Sequence, residues 1–68
     1  SAESVTAFNE TKKKLEEAED QQWELRRTFL DNKEKYGPSA AETTTAYAEY
    51  KECLQKIETL RKQLSTQA

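Results

Sequence analysis

Along this 68-residue chain the apolar side chains recur at alternating steps of three and four. With Phe8 set as heptad position a, that position is filled by Phe8, Leu15, Gln22, Phe29 and Tyr36, and position d by Thr11, Ala18, Leu25 and Asn32. Residues 5–36 contain neither Gly nor Pro and are rich in Glu, Lys, Leu, Gln and Arg, all good helix formers. The pattern predicts one long helix over residues 4–36, its seam interrupted by Gln22 and Asn32. Ser4 is the expected N-cap, and Lys33 and Lys35 suit the negative end of the helix dipole.

The same spacing resumes later in the chain. Tyr50, Ile57 and Leu64 take position a, and Ala46, Cys53 and Leu60 take position d, which predicts a second helix over residues 40–65. Thr43, Thr44 and Thr45 are β-branched and lower helix propensity, so the start of this helix is its expected weak point.

Between the two patterns lies KYGPSAAE, residues 35–42, with the only Gly and the only Pro of the chain. Gly37 is placed to take a left-handed conformation and end the first helix. Pro38 cannot continue it. Ser39 and Glu42 have the spacing of a capping box that would start the second. A linker would be longer and more polar, so this is read as a tight turn at 37–39, and short connections make neighbouring helices antiparallel.

The expected fold is therefore all-α: an antiparallel two-helix coiled-coil hairpin forming a single domain over residues 1–68. Folding the chain at this turn pairs Phe29 with Ala46, Leu25 with Tyr50, Ala18 with Ile57, Leu15 with Leu60 and Thr11 with Leu64. Gln22 then falls opposite Cys53, a polar layer suited to fixing register.

Composition narrows the function classes. Hydrophobic residues are 34% and charged residues 35% of the chain, with a net charge of only −2. Low hydrophobicity with strict periodicity describes a thin helical object with a narrow core. A pI near 5.1 gives no overall footprint for phosphates, so no nucleic-acid partner is expected. The one basic run, Lys12 to Lys14, lies a turn from Glu10, Glu16 and Glu17 and reads as a solvated face with pairs Glu10–Lys14, Lys12–Glu16 and Lys13–Glu17. Glu52–Lys56 and Glu58–Lys62 repeat that pattern in the second helix.

No stretch is apolar enough to span a membrane, and no signal peptide is visible. A lone cysteine fits a reducing compartment, hence a cytoplasmic location. With Ser at position 1 and no Met anywhere, a processed form or an excised fragment is expected. Asn9-Glu10-Thr11 matches the glycosylation sequon, which matters only in a secreted protein.

Catalysis has little to stand on: the chain lacks His and holds one Cys, so the usual nucleophile–base pairs cannot be assembled. Cys53, at a d position, reads as a small buried hydrophobe. Metal binding and cofactors are not expected either. The acidic cluster Glu16, Glu17, Glu19 and Asp20 has no Gly-containing calcium loop around it and reads as surface.

The apolar residues left outside the seam carry the functional expectation. Trp23 and Leu30 both fall at position b of the first helix, and Tyr47 and Leu54 at position e of the second. The hairpin brings Trp23 beside Leu54 and Leu30 beside Tyr47, a stripe flanked by Arg26 and Arg61. One reading is a wide seam with these side chains lying along the helix stems. The other is an exposed apolar face for a partner, made of the residue types enriched at binding interfaces.

The hairpin with KEKYGPSA and ECLQKIETLRKQL resembles the homology-region-one (REM-type) antiparallel coiled-coil repeats of Rho-family GTPase effectors. In that family a Tyr near the end of the first helix leads into a Pro-containing turn, and the second helix carries a Leu-x-x-Ile-x-x-Leu run, here Leu54, Ile57 and Leu60. The resemblance implies a signalling adaptor that binds a Rho-family small GTPase. The turn here is shorter and lacks the Gly-Asp often found there, so no binding residues are carried over. In size and architecture the chain also resembles the small chaperones of bacterial secretion systems, which hold a helical partner.

The resulting expectation is a non-enzymatic protein-interaction module with candidate residues Trp23, Arg26, Leu30, Tyr47, Leu54 and Arg61. The alternative is a self-associating element in which two hairpins form a four-helix bundle.

Overall fold

The computed structural model describes residues 1–67 and consists of two packed helices, α1 over Ala2–Tyr36 and α2 over Ala41–Gln67. At 1.5 Å per residue a 35-residue helix is about 52 Å long. The molecule measures 52 × 15 × 12 Å, one helix long and two helices wide. Its radius of gyration is 15.5 Å, against about 11 Å for a compact domain of this length. It exposes 5241 Å², so folding removes a little over half of the ~11,500 Å² of an unfolded chain of this mass.

The thin core follows the heptads. Ala18, Cys53, Ile57 and Leu60 form its buried centre, with Leu15 and Leu25 packed against it. Ala46, Thr11 and Thr43 are buried along the same seam. Two polar seam residues satisfy themselves locally. The Thr11 hydroxyl donates to the Ala7 carbonyl of its own helix at 3.0 Å, which leaves its methyl for the seam. The Cys53 thiol donates to the Ala18 carbonyl across the interface at 3.3 Å. No hydrogen bond joins Cys53 to Gln22, which is half-buried. The expected Gln22–Cys53 polar layer is replaced by this thiol–carbonyl contact.

Phe29 seats between Tyr47 and Tyr50, with ring centroids 4.9 and 6.4 Å away. It enters the hole around Ala46 rather than meeting that residue alone, as knob-into-hole packing requires.

The ends of the helices differ from the sequence reading. α1 starts two residues before the expected boundary, and its N-cap is Ser1, not Ser4: the Ser1 hydroxyl accepts from the Ser4 amide at 3.2 Å. Ser1 has the same capping chemistry as Ser4, and capping there adds helical residues that good formers readily fill. At the other end Gly37 donates its amide to Lys33 O at 3.0 Å and has φ 92 and ψ 160. Its φ is positive as expected, but its ψ places it outside the left-handed helical well, in a region that only glycine occupies readily.

α2 begins at Ala41, one residue later than expected, and ends at Gln67, two later. The turn accordingly runs through Ala40. This shift dissolves the Ser39–Glu42 box, because the cap position passes to Ala40 and the third helical position to Thr43. No hydrogen bond among the described residues joins Ser39 and Glu42. Instead, the Thr43 hydroxyl reaches back and donates to Gly37 O at 2.7 Å. Asn32 reinforces the closure by donating from Nδ2 to Glu42 O at 3.2 Å. The three threonines are thus not a uniform weak point: Thr43 is 1% exposed, the most buried residue described.

Candidate functional site

In an antiparallel pair the e positions of the two helices share one flank and the g positions the other. The structure fixes which flank is which. Arg61 and Glu19, both at e, meet at 3.1 Å, and Tyr47, also at e, lies on Phe29. The b positions lie just outside the e positions, so Trp23 and Leu30 belong to the same flank as Tyr47 and Leu54.

On this flank Trp23 is 63%, Leu30 43% and Tyr47 44% exposed. Leu54 is half-buried. A merely widened seam would cover these side chains; three of the four are left to solvent, and only Leu54 is drawn inward. Tyr47 is shared between the two roles, with one face of its ring against Phe29 and the Lys51 ammonium 5.4 Å from its centroid. Trp23 has neither an aromatic partner nor a cation over its ring among the described residues.

The two arginines expected to flank the stripe differ. Arg61 is engaged with Glu19 as an interhelical clamp. Arg26 is exposed and forms no ion pair among the described residues. Of the charge pairs expected along the helices, Glu58–Lys62 closes to 3.3 Å. Glu10–Lys14, Lys12–Glu16, Lys13–Glu17 and Glu52–Lys56 do not close. Exposed pairs of long side chains gain too little to fix one geometry.

Two lysines that the apolar reading passed over belong to the same flank: Lys33 at position e of α1 and Lys51 at position b of α2. Their heptad positions were the signal. At the turn end of the flank Phe29, Lys33, Pro38, Thr43, Thr44 and Tyr47 line a half-open cavity of about 220 Å³. That is smaller than the roughly 300–1,000 Å³ of small-molecule sites and open to the same side as the stripe. No helix among the described residues is long and apolar enough to cross a membrane.

No family model, curated protein or solved structure matches this chain.

Proposed function

We propose that this hairpin is a non-enzymatic protein-interaction module whose docking face is the flank carrying Trp23, Leu30, Tyr47 and Leu54. The observation that carries the reading is the exposure of Trp23, Leu30 and Tyr47 together on one side of a scaffold whose buried core contains none of them. Large aromatic side chains left in water next to unpaired cations are costly to a monomer and are the groups that dominate binding energy when covered. Partners that fit this face are a helical protein or, by the resemblance to effector repeats, a Rho-family small GTPase. A self-associated four-helix bundle is the second reading. It is favoured by the large exposed surface for so small a chain, since scaffolds of this size gain stability from oligomerisation.

The test compares the wild-type chain with Trp23→Ala in sedimentation and in affinity capture. Rho-family GTPases loaded with a GTP analogue or with GDP form separate arms. The expected result is a monomer that retains a partner as wild type and loses it as Trp23→Ala, with helicity unchanged. Mass that rises with concentration and falls on Trp23→Ala selects the bundle. Identical capture and identical monomeric mass for both chains overturn the proposal.

A further inference from the structure

The two flanks of the hairpin differ most in the half nearest the turn. Between Trp23 and Leu54 the e and b positions hold Trp23, Arg26, Leu30, Lys33, Thr44, Tyr47, Lys51 and Leu54: three cations, no carboxylate and four large apolar groups. Over the same stretch the g and c positions carry Glu24, Asp31, Glu42, Glu49 and Glu52, with Lys35 as the one cation and no large apolar residue. Arg26 and Lys33 pair with no acid among the described residues, and the Lys51 ammonium lies 5.4 Å from the centre of the Tyr47 ring. In a chain of net charge −2, the exposed apolar groups of this half are thus bordered by three cations and no carboxylate.

From this juxtaposition we infer that the occupant of the face is an amphipathic helix of another protein, with an apolar stripe bordered by Asp and Glu. The inference rests on the interaction reading above and names the chemistry of the partner. An apolar anchor of that helix enters the 220 Å³ cavity beside Phe29 and Tyr47, and the following anchors cover Leu30 and then Trp23. Ten residues of α1 separate Lys33 from Trp23, a span of about 15 Å, which is nearly three turns of a docked helix with anchors near i, i+3 and i+10. Carboxylates beside those anchors meet Lys33, Arg26 and Lys51.

A second copy of the chain fits less well. Arg26 and Lys51 lie in the middle of the apolar group, with Trp23 and Leu54 on one side and Leu30 and Tyr47 on the other. A two-fold axis across the rod that matches the apolar residues brings Arg26 against Arg26 and Lys51 against Lys51, and one along the rod brings Arg26 against Lys51; like charges meet either way and are penalised. The acidic flank of a second copy offers carboxylates but nothing apolar to cover Trp23.

Trp23 is the only tryptophan and lies on the face, so its emission reports occupancy directly. The 68-residue chain is titrated with two synthetic amphipathic peptides that share one leucine stripe, bordered by Glu in one and by Lys in the other. The Glu-bordered peptide is expected to shift Trp23 emission to the blue and to bind at least tenfold more tightly. The gap should narrow as salt is added, and Arg26→Glu with Lys33→Glu, checked for unchanged helicity, should reverse the preference. Equal affinities overturn the charge rule while leaving the face as an interaction site. If neither peptide moves the emission, the helical occupant is overturned, and the capture experiment decides the broader reading on its own. Emission already blue-shifted in a sedimenting dimer overturns it in favour of a second copy.

Discussion

Thr43 concentrates the logic of the turn in one side chain. Its methyl fills the seam and its hydroxyl gives Gly37 O a 2.7 Å partner, so one buried residue ties the first turn of α2 to the end of α1. Thr43→Val keeps the shape and removes the donor. The remaining bond to that carbonyl, from the Ala40 amide, is a long 3.4 Å. The expected loss is about 1 kcal/mol in urea denaturation followed by helical circular dichroism, and a variant as stable as wild type would show the hydroxyl to be idle. Sequence reasoning located this turn from Gly37 and Pro38 but assigned its closure to Ser39 and Glu42. The reason is physical: a capping box is read from spacing alone, whereas the true partner of Gly37 O lies six residues on. That contact is reachable only once Gly37 has its positive φ and the helix has started at Ala41.

At the scale of the helices, periodicity was nearly sufficient, because a two-helix seam has few ways to bury residues spaced by three and four. The buried residues Thr11, Ala18, Thr43, Ala46, Cys53, Ile57 and Leu60 all occupy a or d positions. What spacing could not give was the partner of the Cys53 thiol, which is the Ala18 carbonyl and not the Gln22 side chain. The same layers grade in tightness along the rod. Ile57, at the closed centre, should cost about 2–5 kcal/mol as Ile57→Ala. Phe8, half-buried near the open end, loses less than its size suggests as Phe8→Ala, because water already reaches it. Thermal unfolding of the pair checks this order, and a costlier Phe8→Ala would mean that the open end is packed as firmly as the middle.

For the whole molecule, folding and recognition occupy different faces of a single rod. The seam accounts for the buried residues, while Trp23, Leu30 and Tyr47 on the e and b flank are exposed, as is Tyr36 at the seam's last a position beside the turn, so replacing an exposed flank residue such as Trp23 should leave the fold intact. Trp23→Ala is accordingly expected to move unfolding stability by no more than about 0.5 kcal/mol, measured in urea with the isolated chain; a drop of 2 kcal/mol would place Trp23 in the core instead. The apolar stripe was legible in the sequence as residues the seam did not need, whereas its electrostatics were not. Arg61 looked free and is clamped to Glu19, while Lys33 and Lys51 acquire meaning only once the flank is assembled. The hairpin shape also makes the molecule mechanically anisotropic. Ser1 and Gln67 lie on the side of the rod remote from the turn, with the 35-residue α1 running past the end of the 27-residue α2. Tension applied between them peels the seam like a zipper, loading Phe8 and Leu64 first and one layer at a time. Tension between the turn and either end instead runs along the backbone of one helix and leaves the seam unloaded, so the interface yields when the two helix ends are pulled apart and not when the rod is pulled lengthwise through one helix.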